Sequence, residues 1–347
     1  MSQLKLIVPG LLGPFSSTLP EYIEQRFKQP EFEVLNKWLS RAEVSSISAN
    51  NYLATMVNEI APHYQGELCQ LTAGYDDIDL SSGYFYRADP VHFKADSDHA
   101  ILLGSEILSP TINEAKQLID AFNQHFKDDG ISLHASSAER WYLKCEAPLE
   151  LDFFALDYAL GRDVKHFMPK GKDELWWRKT VNEAQMLFFQ HEVNQQREEN
   201  GQLGINGLWL WDVSIGENKQ APDKQRSLNT RVFTHDMVAG ALAEQSGVES
   251  YAPEKLFDKS ELTDINVLVV DRLYTPVCYA DLDAWFDSLA DFCQSTLSSV
   301  AELLTSRVID EVFIYPCDGR EFKVSRRQLA RFWKIVKAVD QFIKTEN

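Results

Sequence analysis

Residues 265–271, INVLVVD, are a run rich in β-branched side chains, apolar but for Asn266, that ends on an acid. A strand with apolar side chains on both of its sides is buried on both faces, as in a parallel sheet covered by helices. Residues 4–9, 310–315 and 321–324 also read as strands. Amphipathic helices are expected over 31–42, 51–61, 235–246, 280–304 and 325–343. Strands therefore alternate with helices in both terminal parts, and the pattern predicts an α/β fold: one mostly parallel sheet flanked by helices.

The middle of the chain breaks that rhythm. Two strands are expected over 84–103 around the polar turn Ala95–Asp98. A helix should follow to about Phe126, with Ser109 as N-cap and Pro110 in its first position. Strands fill 131–145. One long helix should run over 173–200, burying Trp177, Val181, Ala184, Phe188 and His191, with Gly201 as its stop. Residues 205–211 form a short apolar strand. These features predict an inserted α+β cap-like unit at 85–200, with 1–84 and 201–347 forming the core. Residues 216–229, GENKQAPDKQRSLN, read as a mobile loop.

Composition narrows the function. Lys and Arg total 34 against 52 Asp and Glu, a formal charge of −18. A field of that sign repels phosphate backbones and anionic lipid, so neither nucleic acid nor membrane is expected as a partner. The run Arg326, Arg327, Arg331, Lys334 and Lys337 is the exception, and at helical spacing it reads as a solvated face. The apolar run 4–12 is broken by Pro9 and Gly10, which suits a strand and turn rather than a signal or membrane segment. Five scattered cysteines without a C-x-x-C pair point to reduced thiols and a cytoplasmic location.

No G-x-S-x-G elbow, P-loop or G-x-G-x-x-G is present, which removes the usual support for hydrolase, NTPase and dinucleotide readings. His92, Asp96, Asp98 and His99 have metal-ligand chemistry but lie around a hairpin tip, where Asp is also turn material. Arg87 either presents a planar fork to an anion or pairs with Asp89. Asn194 and Arg197 either cap helix carbonyls or line a pocket with Asn206 and the Trp209 and Trp211 strand. Asp271 and Asp318 follow core strands, where ligands bind in open α/β sheets. Cys317 is a thiol without an evident cation to activate it.

The segments GYDD (74–77), YFYRADPVHF (84–93), SPTINEAKQLIDAFN (109–123), NEAQMLFFQHEVNQQREENGQLGINGLWLW (182–211), INVLVVDRL (265–273) and YPCDGREF (315–322) together resemble RpfE-type regulatory proteins. More remotely they are similar to archaeal-type cofactor-independent phosphoglycerate mutases of the alkaline phosphatase superfamily. The resemblance implies an alkaline-phosphatase-like α/β core with an inserted α+β cap. It also implies two divalent metals held by Asp and His beside a Ser or Thr nucleophile.

This chain departs at each of those points. Its first strand reads LIVPGLLG, without an Asp-Gly. The approach to GYDD is HYQGELCQLTAGYDD, with only Thr72 nearby and at the wrong spacing. Asp271 is followed by no histidine, and Asp318 is followed by Gly319. All eight histidines lie at or before His235. The expectation is a catalytically degenerate member, without cofactor, that binds a small anionic ligand or a protein partner. Its site would gather Arg87, Asp89, Asn194, Arg197 and Asn206 with Asp271 and Asp318, walled by Trp209 or Trp211. The alternative is a phosphoglycerate mutase-like phosphotransferase with rearranged ligands, using Mn or Zn.

Overall fold

The computed structural model describes residues 2–15, 19, 21–96, 99–215 and 229–343. The stretch read as a mobile loop lies outside the described residues except for Asn229. The chain divides into two compact units, one of residues 1–64 with 216–347 and one of residues 65–215. Among the described residues no helix is long and apolar enough to cross a membrane.

The first unit is built on a seven-stranded sheet. Its strands are β1 (Gln3–Ile7), β2 (Glu43–Ser46), β3 (Thr230–Phe233), β4 (Glu249–Tyr251), β5 (Ile265–Val269), β6 (Glu311–Tyr315) and β7 (Arg320–Ser325). They lie in the order β4-β3-β5-β1-β6-β7-β2, and the first five run parallel. β1 is central because both its neighbours are buried apolar strands: Leu6 lies between Leu268 and Ile314. Helices cover the sheet, and one core gathers Phe27, Phe32, Trp38, Trp285, Phe286 and Leu289 on Leu4, Leu6 and Leu268. The α/β class and mostly parallel sheet are those the sequence predicts.

The helix expected over 280–304 forms as Leu282–Asp291 and Ser298–Thr305 joined by a π-helical stretch, Phe292–Leu297. Hydroxyls at Ser295, Ser298 and Ser299 donate to the carbonyls of Asp291, Cys293 and Ser295, and such back-bonding widens the turn. The helix expected over 325–343 forms only as Arg326–Leu329, followed by an irregular path to a short turn at Val339–Phe342. Tertiary bonds to the helix Glu33–Arg41 and its end divert it: Arg41 donates to Leu329 O, Lys337 N donates to Ser40 Oγ at 2.7 Å, and Val339 is buried in the core.

The second unit is an antiparallel sheet in the order Gly207–Trp211, Tyr84–Asp96, Trp141–Cys145, Ile131–Ala135, with His99–Leu103 also paired to Tyr84–Asp96. Helices Ile112–His125 and Glu174–Gln190 bury Phe122, Trp177, Val181, Ala184 and Phe188 against it. The unit is wider than 85–200. Its last long strand pairs Trp209 with Asp89, and Ser214–Ile215 pairs with Gly66–Glu67, so both chain ends are zipped into it.

Two helix boundaries differ from expectation. Thr111, not Ser109, is the N-cap, in a reciprocal capping box with Glu114, while Ser109 takes a left-handed conformation that ends a preceding short helix. The expected 173–200 helix breaks at His191, which is extended and caps a second helix, Glu192–Glu199. His191 Nδ1 accepts from Val193 N and Asn194 Nδ2 donates to Phe188 O, so side chains replace the missing helix bonds. His191 is consequently half-buried rather than part of the core stripe.

Candidate functional site

Because β3, β5, β1 and β6 run parallel, the residues after them share one edge of the sheet, where open α/β folds bind ligands. The residues that follow them are His235 and Asp236, Asp271, Pro9 and Gly10, and Cys317 and Asp318. Asp236 caps the helix Met237–Gln245: its Oδ1 accepts from Ala239 N at 2.8 Å. Its Oδ2 accepts from the Tyr52 hydroxyl at 2.9 Å. Tyr52 opens the helix Tyr52–Ile60 and packs edge-on against Tyr274, centroids 5.2 Å apart. Burial raises the Asp236 carboxyl, and the charge of the exposed Asp271 adds to the rise. Burial, with the charges of Asp236 and Asp271, also holds the Tyr52 hydroxyl well above its usual range.

The other strand ends are occupied by structure. Cys317, at φ 67°, and Gly319, at φ 85°, are left-handed, as the tight β6–β7 turn demands. Burial pushes the Cys317 thiol up to about 12, so at neutral pH it carries its proton and is a poor nucleophile. Asp318 is held by Arg320 through both Nε, at 2.8 Å, and Nη2. At β1, the Gly10 carbonyl accepts from Trp285 Nε1 at 2.8 Å. His235 is exposed beside Glu254, at 3.5 Å. Among the described residues no group of three or more His, Cys, Asp or Glu side chains is placed to hold a metal ion, so this donor set does not fit a two-metal centre.

The residues expected on the cap side are part of the second unit's own scaffold. Arg87 Nη2 donates to both oxygens of Asp89 at 2.8 Å, with the pair 6% and 2% exposed. Asp89 also accepts from Trp211 Nε1 at 2.7 Å, and the Arg87 guanidinium lies 5.2 Å from the Trp211 ring centroid. Arg197, 1% exposed, donates to Leu203 O, Glu114 Oε1 and Leu108 O. Asn194 bridges Phe188 O to the backbone of Ile205, Asn206 clamps the backbone of Phe93, and Trp209 donates to Phe154 O. Buried polar groups must be bonded internally, and that need has absorbed these side chains.

The His92–His99 set does not converge either. Asp96 pairs with His99 across the hairpin, whereas His92 pairs with Leu103, four residues or about 13 Å along the strand. His92 Nδ1 donates to Gly204 O at 2.7 Å, and Asp98 lies outside the described residues.

The second unit does hold a cleft of about 650 Å³, lined by Glu67, Tyr84, Tyr86, Asp152, Phe153 and Asp212 among others. Burial pushes the Asp212 carboxyl up to about 6 against hydrogen bonds from Cys69 N and Val213 N. Its acids come from three distant segments, so no spacing in the sequence announces it.

Against this geometry, sequence comparison finds similarity to the 2,3-bisphosphoglycerate-independent phosphoglycerate mutase of Methanosarcina mazei, 22% identical over 136 residues, 38% of this chain and 34% of that protein. The chain is remotely similar to a cofactor-independent phosphoglycerate mutase. It spans about a third of that relative's length. No family model matches the chain. Among solved structures, the PH0037 protein from Pyrococcus horikoshii superposes with a TM-score of 0.53 at 14% identity, over 93% of this chain and 87% of that one. The cofactor-independent phosphoglycerate mutase from Thermoplasma acidophilum gives a TM-score of 0.36 at 12% identity, over 93% and 89%. The PH0037 likeness shows a shared fold over nearly the whole chain. Tyr52, His235, Asp236 and Tyr274 join the strand-end site without any sequence signal beyond a cap and a helix start.

Proposed function

We propose that this chain keeps the frame of the alkaline phosphatase superfamily without its two-metal centre, and acts as a cytoplasmic binding or regulatory protein. One observation supports this above others: the strand-end acids Asp236 and Asp318 are already bonded to side chains of the same unit, Tyr52 and Arg320, where the superfamily's chemistry needs free metal ligands. The absence of any histidine after His235 adds to it. The likeness of residues 182–211 to RpfE-type regulatory proteins supports the regulatory part, and the scattered cysteines without a C-x-x-C pair support the cytoplasm. A small anion or a protein is the proposed partner, with no nucleic acid and no resident cofactor. An anion at the strand ends is easier to hold when Asp236 is neutral, which its burial favours.

The similarity to the M. mazei enzyme favours a second reading, a phosphoglycerate mutase-like phosphotransferase using Mn or Zn. Elemental analysis after equilibration with Mn²⁺ and Zn²⁺, with phosphoglycerate and phosphoester turnover assayed on the same sample, separates the two. A metal-free, inactive protein is expected. Tightly held metal with metal-dependent turnover would replace the first reading by the second.

A further inference from the structure

The strongest unassigned feature of the first unit is its C-terminal basic segment. Phe332, Trp333 and Ile335 are 82%, 67% and 83% exposed, and Val336 is exposed beside them. Arg326, Arg327, Arg331, Lys334 and Lys337 are interleaved with them, and no acid occurs between Glu321 and Asp340. Exposed apolar side chains grouped this way mark an interaction surface. On a chain of net charge −18 this is a local reversal of sign, and salt limits the rest of the molecule's field to about 8 Å.

The same residues have a strict helical order that the free chain does not use. Leu329, Phe332, Trp333 and Val336 fall at i, i+3, i+4 and i+7, on one face of a helix. Arg327, Arg331 and Lys334 fall on the opposite face, with Lys337 on its flank. Yet the helix stops at Leu329. The segment's two ends are tethered, Arg326 to Leu304 O, Ile309 O and Asp310 and the Lys337 backbone to Ser40 Oγ, while Arg41 holds Leu329 O and Lys334 Nζ makes only a long 3.4 Å contact with Ala42 O.

We propose that residues 326–337 dock on an anionic phospholipid surface, folding there into a basic amphipathic helix that lies in the interface. Trp and Phe on the apolar face and Lys and Arg on the polar face are what such a surface selects. Leu329 and Val336, beside Phe332 and Trp333, have no role on a phosphate backbone, so the apolar face favours lipid over nucleic acid. Docking an acidic molecule through one basic segment also makes attachment reversible by salt.

The test is co-sedimentation of the full chain with vesicles of phosphatidylcholine alone or of an equal mixture with phosphatidylglycerol. The proposal expects binding to the mixed vesicles only, weakened by added salt and accompanied by a gain of helical circular dichroism. The double variant R327E/R331E should lose about tenfold or more in binding, with unchanged thermal unfolding. W333A should weaken binding without changing its salt dependence. Failure of the wild type to bind mixed vesicles would overturn the proposal and point to an acidic protein as the occupant. Equal binding to both vesicle types, or undiminished binding by a folded R327E/R331E, would overturn it too.

Discussion

Two Arg–Asp pairs, one in each unit, carry the same i,i+2 spacing and opposite meanings. Arg87–Asp89 sits in the middle of a strand, almost fully buried and enclosed by Trp211, Trp141 and Tyr142. Asp318–Arg320 spans a turn at the edge of the core sheet, 28% and 15% exposed at the side chains. From sequence alone Arg87 and Asp318 are both candidate ligand-site residues. In the fold, the first pair is a closed polar island inside an apolar layer, and the second is turn chemistry with water on one side. Burial, which the local sequence does not print, decides between them.

The largest effect should come from breaking the buried pair. Asp89→Ala leaves the Arg87 guanidinium without its counter-charge and strips an acceptor from the Trp211 indole, so a loss of about 3–5 kcal/mol is expected. Urea unfolding at neutral pH measures it. A loss under 1 kcal/mol would mean that the island is open to water and that Arg87 is available to a ligand after all.

Asp212 offers a test with the opposite sign. Its carboxyl is raised from 3.8 to about 6, so the folded state favours the protonated form. The stability this gives is fully present below the unfolded value and is lost as pH rises through the folded one. Wild-type stability should therefore carry a falling contribution between pH 4 and 6. Asp212→Asn, which keeps the oxygen that accepts from Cys69 N and Val213 N, should remove that slope and gain about 1–3 kcal/mol at pH 7. Identical pH profiles for wild type and variant would show that the cleft solvates this acid.

A smaller loss is expected at the strand-end site. Tyr52→Phe removes one hydrogen bond to Asp236 and leaves the cap to Ala239 N intact, which should cost about 1 kcal/mol. Because that bond favours the ionised carboxylate, the variant should also raise the Asp236 pKa further, visible as an upward shift of its carboxyl titration by NMR. A titration left in place would take Tyr52 out of the site.

What was legible in the sequence follows from how local its cause is. INVLVVD announces a strand buried on both faces because apolar side chains fall on both of its sides, and Leu268 and Val267 are indeed enclosed. Gly201 and Gly247 announce helix ends because φ of 71° and 65° suit glycine. The helix break at His191 was not legible, since it depends on where Asn194 finds the Ile205 backbone. Nor was the arrest of the last helix at Leu329, which follows from contacts with Arg41 and Ser40 nearly three hundred residues away. The same non-locality hid the site. Asp236 lies within the helix expected over 235–246, and only the sheet order brings it near Asp271 and Tyr52.

The smallest effect, and the one that closes the comparison, belongs to Asp318→Ala. Its partner Arg320 keeps access to water and lies 5.5 Å from the Phe322 ring centroid, so the cation is not stranded when the acid goes. A partly exposed ion pair of this kind contributes about 0–1 kcal/mol, and the turn itself is fixed by the left-handed residues on either side of Asp318. Near-wild-type stability in urea, beside a large loss for Asp89→Ala, would establish that the two pairs differ by burial alone. A cost approaching that of Asp89→Ala would instead assign Asp318 a structural burden that its exposure does not explain, and would make the β6–β7 turn, rather than the Asp236 cap, the part of the sheet edge that the core depends on.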